Sequence, residues 1–343
     1  MKPVIGITLG DATGIGPELI AKLCAEDRLK PYCRPVIIGD VRILEMGKKI
    51  AKVDFPVQLI DDISLIDWEG AVPVLDLNNL DPASITLGEI DPISGRVTAE
   101  ACITAIKLWK KGLTEGFVYA PLHKAAFILG GYDFECENFL FSHYIGTGDA
   151  FGEMNVFNNL WTSRVTSHIP IKDVASILSK EKVYGAIRLA HETLSKAGYD
   201  YPRIAVAALN PHGGESGLCG REEIDVIMPG IEMAKEKGIN TMGPYPADTI
   251  FINAFNGEYD AVVTMYHDEG QIAMKLMGFH FGVTVGAGHP FPIATPAHGT
   301  AFDIVGQGVA KVGAIEQAVI IASKMASWKN NSLSQASKLE TIQ

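Results

Sequence analysis

Three histidines each follow an apolar, strand-like segment. His168 lies in VTSHIPIKDV, His212 in AVAALNPHGGESG and His267 directly after DAVVTMY. Open α/β sheets bind ligands at the carboxyl ends of their strands, where these residues are expected. Three imidazoles with an open position form a catalytic site suited to a divalent ion such as Zn²⁺. Because the intervals are long, no local motif certifies the site, and a structural role stays open for each histidine.

Two carboxylates and an ammonium group accompany the histidines. Asp248, in GPYPADT, and Asp268, next to His267, could ligate the metal, orient a histidine or transfer a proton. A helix N-cap is the alternative for Asp248. Lys275 could bind a substrate carboxylate or phosphate, and a solvated lysine is its alternative.

Three further segments are candidates for ligand contact. The glycines of GDATGIGPE, residues 10–18, permit either an anion site at a helix N-terminus or a tight strand-to-helix turn, and the spacing matches neither GxGxxG nor a P-loop. Small side chains in residues 296–310 would let a flat ligand lie close to the backbone, with a capped loop as the alternative. His123 and Lys124 follow the strand-like GFVYAP, at a ligand-side position or as surface charge.

Short apolar runs alternate with helix-like stretches along the chain, which predicts an α/β fold with a largely parallel sheet. The predicted strands are PVIGITL, RPVIIGD, GFVYAP, RIAVAAL and DAVVTMY. A length of 343 residues favours two domains. Since no Gly/Ser/Pro-rich linker separates them, we expect two domains that exchange strands.

Composition excludes several classes of protein. The net charge of −11 disfavours nucleic acid and anionic membranes as partners. No apolar stretch approaches the ~20 residues of a membrane span, and the N-terminus is not typical of a signal peptide. The five cysteines are scattered without a CxxC motif, which is typical of reduced thiols. We therefore predict a cytoplasmic enzyme.

Four segments in order resemble the 4-hydroxythreonine-4-phosphate dehydrogenase (PdxA) family: LNPHGGESG, GPYPADT, MYHDEGQIAMK and HGTAFDIVG. The resemblance covers nearly the whole chain. It implies two α/β domains around a central cleft, similar to isocitrate and isopropylmalate dehydrogenases and unlike a standard Rossmann domain. The implied domains are residues 1–128 with 298–343, carrying the cofactor-loop region, and residues 129–297, carrying the metal ligands and the dimer interface.

The resemblance also implies a role for each matching residue. It implies a divalent metal (Zn²⁺, Mg²⁺, Mn²⁺ or Co²⁺) on the three ligands His168, His212 and His267. It implies catalytic roles for Asp248, Asp268 and Lys275. It implies that NAD binds at His298, Gly299, Thr300, Asp303 and Gly306. The partner implied is a second copy of the chain, with His267 supplied to the neighbouring subunit's active site.

The sequence departs from the family at the expected substrate pocket. Glu137 and Asn138 stand where the family has His-Thr, and Thr284 and Ile293 stand where it has an Asn and an Arg that bind substrate phosphate. With Lys275, these are the predicted substrate-binding residues. Loss of a bidentate arginine and gain of a carboxylate that would repel phosphate both disfavour the family's phosphorylated amino acid, and they also disfavour the other phosphorylated substrates of the family.

The expected activity is therefore a metal-dependent, NAD(P)-linked oxidation of a secondary alcohol in a hydroxy acid, followed by decarboxylation of the β-keto acid. Alternatives within the family are a 4-phospho-D-threonate or erythronate dehydrogenase and a cis-dihydrodiol carboxylate dehydrogenase. A catalytically inactive ligand-binding homologue is the alternative of another class. Absence of Arg or Lys from HGTAFDIVGQG favours NAD over NADP.

Overall fold

The structure is a computed structural model that describes residues 1–148, 151–278 and 281–340, with side chains to residue 328. It divides into two compact units, Met1–Ala150 with His289–Gln343 and Phe151–Gly288. This division places residues 129–150 and 289–297, which the sequence assigns to the second domain, in the first unit. Compactness does not show which segments fold together, so the domain boundaries at 128 and 298 stay a prediction.

Unit 1 contains six parallel strands in the order β3-β4-β2-β1-β5-β12. These strands are β1 (Val4–Thr8), β2 (Arg34–Gly39), β3 (Val57–Ile60), β4 (Val72–Asp76), β5 (Gly116–Tyr119) and β12 (Ile293–Pro296). Its helices are α1 (Gly16–Ala25), α2 (Val41–Ala51), α3 (Pro92–Lys110), α4 (Lys124–Leu129), α5 (Glu137–Ile145) and α11 (Gly313–Glu340). The central strands β1 and β5 are wholly buried, as expected for parallel strands covered on both faces.

Unit 2 contains strands in the order β11-β6-β7-β10-β8-β9. These strands are β6 (Gly152–Phe157), β7 (Leu160–Arg164), β8 (Ile204–Ala207), β9 (Thr241–Tyr245), β10 (Ala261–Thr264) and β11 (Val283–Ala287). Strands β7, β10, β8 and β9 run parallel, whereas β6 is antiparallel to both β7 and β11. Its helices are α6 (Val174–Ile177), α7 (Lys180–Lys196), α8 (Met228–Glu236), α9 (Ala247–Phe255) and α10 (His267–Gly278).

The predicted α/β class with a largely parallel sheet is confirmed. All five predicted strands are present, as β1, β2, β5, β8 and β10. Helix α3 begins at Pro92, because the carboxylate of Asp91 accepts a hydrogen bond from the Ser94 N–H and caps it. The hairpin of β6 and β7 was not predicted, since polar residues interrupt its apolar pattern.

No helix in the described part of the chain is long and apolar enough to cross a membrane. The five cysteines are thiols and form no disulfide, and Cys24, Cys33 and Cys102 are buried. Burial raises the pKa of each of these three thiols to about 12, so they are protonated near neutral pH.

Alanine substitution at two helical glycines should change the free energy of unfolding in opposite directions. A Cβ on Gly95 of α3 would lie 1.9 Å from the carbonyl oxygen of Ala126, where α3 and α4 touch, whereas one on Gly185 of α7 meets no atom within 4 Å. We expect Gly95→Ala to lower the free energy of unfolding by about 1–3 kcal/mol. Gly185→Ala should raise it by about 0.5–1 kcal/mol. Urea titrations measure both, and a stable Gly95→Ala variant would contradict the close helix contact.

Candidate functional site

The candidate metal ligands follow the carboxyl ends of neighbouring parallel strands in unit 2. His168 follows β7, His267 follows β10 and His212 follows β8, and these strands are adjacent in that order. Pairing between β7 and β10 continues past the strands, because the Thr166 N–H donates to the Met265 carbonyl at 3.1 Å. Each of the first two histidines lies two residues beyond this last pair. The register of β7 and β10 therefore places His168 and His267 close to each other.

The imidazoles of His168 and His267 lie together, with ring centroids 5.7 Å apart and planes tilted by 42°. Two imidazoles on one tetrahedral ion, each with an N–metal bond of ~2.0–2.1 Å, place their centroids roughly 5 Å apart. The side chain of Asp268 accepts a hydrogen bond from His267 Nδ1 at 2.6 Å. A carboxylate on one ring nitrogen is the usual support of a metal-binding histidine, and it directs Nε2 toward a ligand.

His212 lies on a separate, left-handed turn. Residues 212–216 all have positive φ, between 49° and 79°. Three of the five are not glycine, and such a run persists only where the surroundings hold it. The carboxylate of buried Glu223 accepts hydrogen bonds from the backbone N–H groups of Leu209 and Asn210, at 2.9 and 2.7 Å, just before the turn. His212 is 70% exposed, and its Nδ1 is 2.7 Å from Glu215 Oε1.

The donor chemistry of these residues fits a divalent ion, although the fit is incomplete. Two imidazoles are adjacent, and His267 and His212 each have a carboxylate at Nδ1. Within residues 1–148, 151–278 and 281–340, no group of three or more His, Cys, Asp or Glu side chains is placed to hold a metal. The structure thus brings together His168 and His267 and does not bring His212 to them.

The three predicted catalytic residues are all exposed in unit 2. Asp268 is engaged with His267, so it positions that ring. Asp248 follows β9, the next strand after β8, and lies inside the first turn of α9, whose N-cap is Pro246; the N-cap alternative for Asp248 is therefore wrong. Lys275 lies two turns after His267, on the same i, i+4, i+8 row of α10 as Gln271.

Glu269 holds the backbone at the start of α10. One carboxylate oxygen accepts a hydrogen bond from the Met265 N–H at 2.6 Å, and the other is buried with no hydrogen-bond partner. Burial raises the pKa of Glu269 to about 7, more than the backbone hydrogen bonds lower it, and the nearby Glu223 carboxylate adds to the rise. Buried carboxylates thus support the loops of both His267 and His212.

In unit 1, three loops interlock beyond the adjacent strands β1, β5 and β12. The Asp11 N–H donates to the carbonyl of Pro121 at 2.9 Å, and the Ile15 N–H donates to that of Thr300 at 3.1 Å. Gly14 packs so closely that a Cβ there would lie 2.8 Å from Thr300 Cβ. The imidazole of His123 stacks on Phe302 at a centroid distance of 5.2 Å. GDATGIGPE is therefore a tightly packed turn that supports the loop at residues 298–306.

Three of the five predicted cofactor residues, Gly299, Asp303 and Gly306, are exposed on this cluster. Gly299 and Gly306 are exposed, and a Cβ on Gly299 would meet nothing within 4 Å, so its backbone is open to a flat ligand. Thr300 is buried against the GDATGIGPE turn, and Asp303 is exposed. His298 Nδ1 lies 3.0 Å from the carbonyl oxygen of Gly299. The buried Nδ1 of His123 has no hydrogen-bond partner. The open backbone at Gly299 fits a flat ligand such as the nicotinamide dinucleotide.

The predicted substrate residues are distributed over both units. In unit 1, Glu137 accepts a hydrogen bond from the Tyr119 hydroxyl at 3.1 Å, and its other oxygen is buried, while Asn138 is buried. Ile293 is 1% exposed and packs in the core of unit 1, so it offers no surface to an anion. In unit 2, the Thr284 hydroxyl accepts a hydrogen bond from Asn155 Nδ2 at 3.0 Å.

Several site residues were missed from the sequence. Arg164, Asn155 and Glu153 form a buried polar network at the end of β7, and Glu223 and Glu269 support the histidine loops. The available signal for Arg164 was a single charged residue at the end of the short segment LWTSR, four residues before His168. Glu269 could not be assigned from the sequence, because periodicity does not reveal which way a residue in the first helical turn points.

Comparison with known proteins identifies the family of this chain. The family model for the pyridoxal phosphate biosynthetic protein PdxA matches residues 31–322. The chain belongs to the PdxA family. It is 45% identical over 330 residues to a Pseudomonas aeruginosa protein named "Putative 4-hydroxythreonine-4-phosphate dehydrogenase 2", covering 95% of this chain and 98% of that protein.

Other members of the PdxA family are similar over the same extent. A D-threonate 4-phosphate dehydrogenase of Cupriavidus necator is 36% identical, covering 94% of this chain and 97% of that protein. The crystal structure of the Klebsiella pneumoniae 4-hydroxythreonine-4-phosphate dehydrogenase superposes with a TM-score of 0.85 at 34% identity, covering 95% and 98% of the two chains. The resemblance predicted from the four segments is confirmed, and the chain is a dehydrogenase of the PdxA type.

The raised pKa of Glu269 predicts a pH-dependent stability in metal-free protein. Between the ordinary carboxyl pKa near 4.5 and the folded value of about 7, the folded chain holds a proton that the unfolded chain has released. The free energy of unfolding should therefore fall as pH rises through this window, by up to about 3 kcal/mol. Glu269→Gln should remove that slope. Urea titrations at several pH values with a chelator present measure it, and parallel profiles for the variant and the wild type would contradict the assignment.

Proposed function

We propose that this dehydrogenase oxidises the secondary alcohol of a phosphorylated hydroxy acid with NAD⁺, using a divalent ion held by His168 and His267 with His212 as the third ligand. The observation that carries the proposal is the ring pair of His168 and His267, 5.7 Å apart at the ends of β7 and β10, in a chain of the PdxA family. The names of relatives, which include 4-hydroxythreonine-4-phosphate and D-threonate 4-phosphate dehydrogenases, support the substrate class.

Among the two phosphorylated substrates, D-threonate 4-phosphate is the better candidate. The sequence departs from the family at Glu137, Asn138, Thr284 and Ile293, which favours a substrate other than the amino acid. The carboxylate of Glu137 accepts a hydrogen bond from Tyr119 and is partly buried, so its charge is directed into unit 1. This removes one of the two reasons for excluding a phosphate, and the exposed ammonium group of Lys275 has the charge that suits an anionic end of the substrate.

The chain's own residues have defined tasks in this reaction. A divalent ion in the site would lower the pKa of the bound hydroxyl and stabilise negative charge on the substrate oxygen. Asp268 fixes the ring orientation of His267 through Nδ1. Asp248, exposed after β9, is the candidate that remains free to accept the hydroxyl proton, since the carboxylate of Asp268 is engaged with a ring nitrogen. The open backbone at Gly299 leaves room for the dinucleotide.

We further propose decarboxylation after oxidation, because a ketone β to a carboxylate loses CO₂ readily when negative charge on its oxygen is stabilised. The proposal also includes a homodimer. Helix α10 exposes Ile272, Leu276 and Met277, at 60%, 81% and 52%, which is the kind of apolar surface that a subunit interface covers. That His267 serves the neighbouring subunit stays a prediction, since one chain alone places it beside His168.

A second candidate is a ligand-binding homologue without catalysis. It is favoured by the incomplete metal site, in which the described residues form no group of three ligands. A homologue of this kind would bind NAD⁺ or a hydroxy acid and reduce no cofactor with any divalent ion.

The test is a substrate screen on protein stripped of metal and reloaded with Zn²⁺, Mg²⁺, Mn²⁺ or Co²⁺. We expect NADH formation and CO₂ release on D-threonate 4-phosphate, with weaker activity on 4-hydroxythreonine 4-phosphate and on the unphosphorylated acids. His168→Ala and His267→Ala should each lower kcat/KM by at least about 100-fold, because each removes a direct ligand. His191→Ala, on α7 of the same unit, is the matched control. Preference for an unphosphorylated acid, or activity independent of metal, would contradict the proposal.

A further inference from the structure

Arg164, the last residue of β7, lies four residues before His168 and carries a guanidinium that is almost fully enclosed. Its side chain is 9% exposed and forms an ion pair with Glu153 of β6, in which Nη2 lies 2.6 Å from Oε2. A buried guanidinium persists only where its donors are used and its charge is balanced. Because a strand end needs no such group for its own stability, the contacts of Arg164 indicate what it does.

One branch of these contacts reaches the loop of His168. The Nε–H of Arg164 donates to the hydroxyl of Ser167 at 2.9 Å. Ser167 is directly bonded to His168, whose φ of +48° is unusual for a residue with a side chain. This hydrogen bond closes a short turn, 164 to 167, immediately before the ligand. It therefore restricts where the His168 imidazole points.

The other branch reaches helix α10. Nη1 of Arg164 donates a hydrogen bond to Asn155 Oδ1 at 3.0 Å. The same oxygen accepts a short hydrogen bond from Gln271 Nε2. Gln271 lies one turn after His267 and one turn before Lys275, on the same row of the helix. Asn155 Nδ2 also donates to Thr284 at 3.0 Å. The guanidinium thus determines the orientation of the Asn155 amide, which in turn holds the row of α10 that carries two predicted site residues.

We infer that Arg164 is a positioning residue that ties the loop of His168 to the helix of His267, so that the two imidazoles stay at the spacing a shared divalent ion requires. The inference rests on the proposed function, because it assigns Arg164 a task toward that metal site. Arginine suits this task and lysine does not, since three donors in one fixed plane reach Ser167, Asn155 and Glu153 at once.

The test measures metal affinity and local backbone opening separately from turnover. Ser167→Ala cuts the first branch and Gln271→Ala cuts the second, and both leave Arg164 paired with Glu153. Each should weaken Co²⁺ or Zn²⁺ binding, measured by competition with a chelating dye, by about 3- to 10-fold. The double variant R164M/E153Q removes both branches with the net charge unchanged, and it should weaken binding by about 10- to 100-fold. R203Q, which removes a bidentate Arg203–Asp260 pair before β8, is the matched control and should bind the metal like the wild type.

Hydrogen exchange of the metal-free protein gives a second readout that a general loss of stability would not reproduce. Ser167→Ala should speed exchange in residues 165–168 only, Gln271→Ala in residues 268–272 only, and R164M/E153Q in both segments. If the double variant does not fold, the two single variants decide the question. Wild-type metal affinity and unchanged exchange in both single variants would overturn the inference.

The two proposals fail in different ways. If His168→Ala weakens metal binding while Ser167→Ala, Gln271→Ala and R164M/E153Q do not, only the role of Arg164 is wrong. If the wild type binds no divalent ion, the proposed metal-dependent function and the positioning role of Arg164 are both wrong.

Discussion

The candidate site depends on the parallel pairing of β7 with β10 and on its continuation beyond both strands. Backbone bonds from Val165 to Thr264 and from Thr166 to Met265 carry the register to within two residues of His168 and His267. A slip of one residue in this pairing would turn the side chains of one strand to the opposite face and would shift His168 relative to His267. Ring placement is thus a consequence of backbone hydrogen bonding, and the side chains around the histidines refine it.

Buried polar groups hold the histidine loops in the positions that the strand register sets. Glu223 and Glu269 bind backbone N–H groups before His212 and at the start of α10, and Arg164 joins the loop of His168 to the same helix. Leaving such groups unpaired away from water costs about 1–3 kcal/mol or more each. Each network therefore strongly favours a single geometry. The raised pKa of Glu269 reflects the free energy that burial of its charged form costs in the folded state. Enclosed charge of this kind is typical of functional sites.

Much of this arrangement could be predicted from the sequence, because strands β1, β2, β5, β8 and β10 are short apolar runs, and His212 and His267 follow two of them. The family could be predicted because four motifs occur in order. The hairpin of β6 and β7 could not, since Glu153, Asn155 and Arg164 interrupt the apolar pattern in order to bind one another. The burial of Ile293 was also missed, because alignment to a family position does not show whether a side chain faces the core or a ligand.

The most direct test of the account is the X-ray absorption spectrum of the metal-loaded protein at the edge of the bound ion. The account predicts scattering from imidazole ligands in the wild type, and a loss of one imidazole in His168→Ala and in His267→Ala with the His191→Ala spectrum unchanged. A spectrum that shows only oxygen ligands, or one that neither ligand substitution alters, would contradict it.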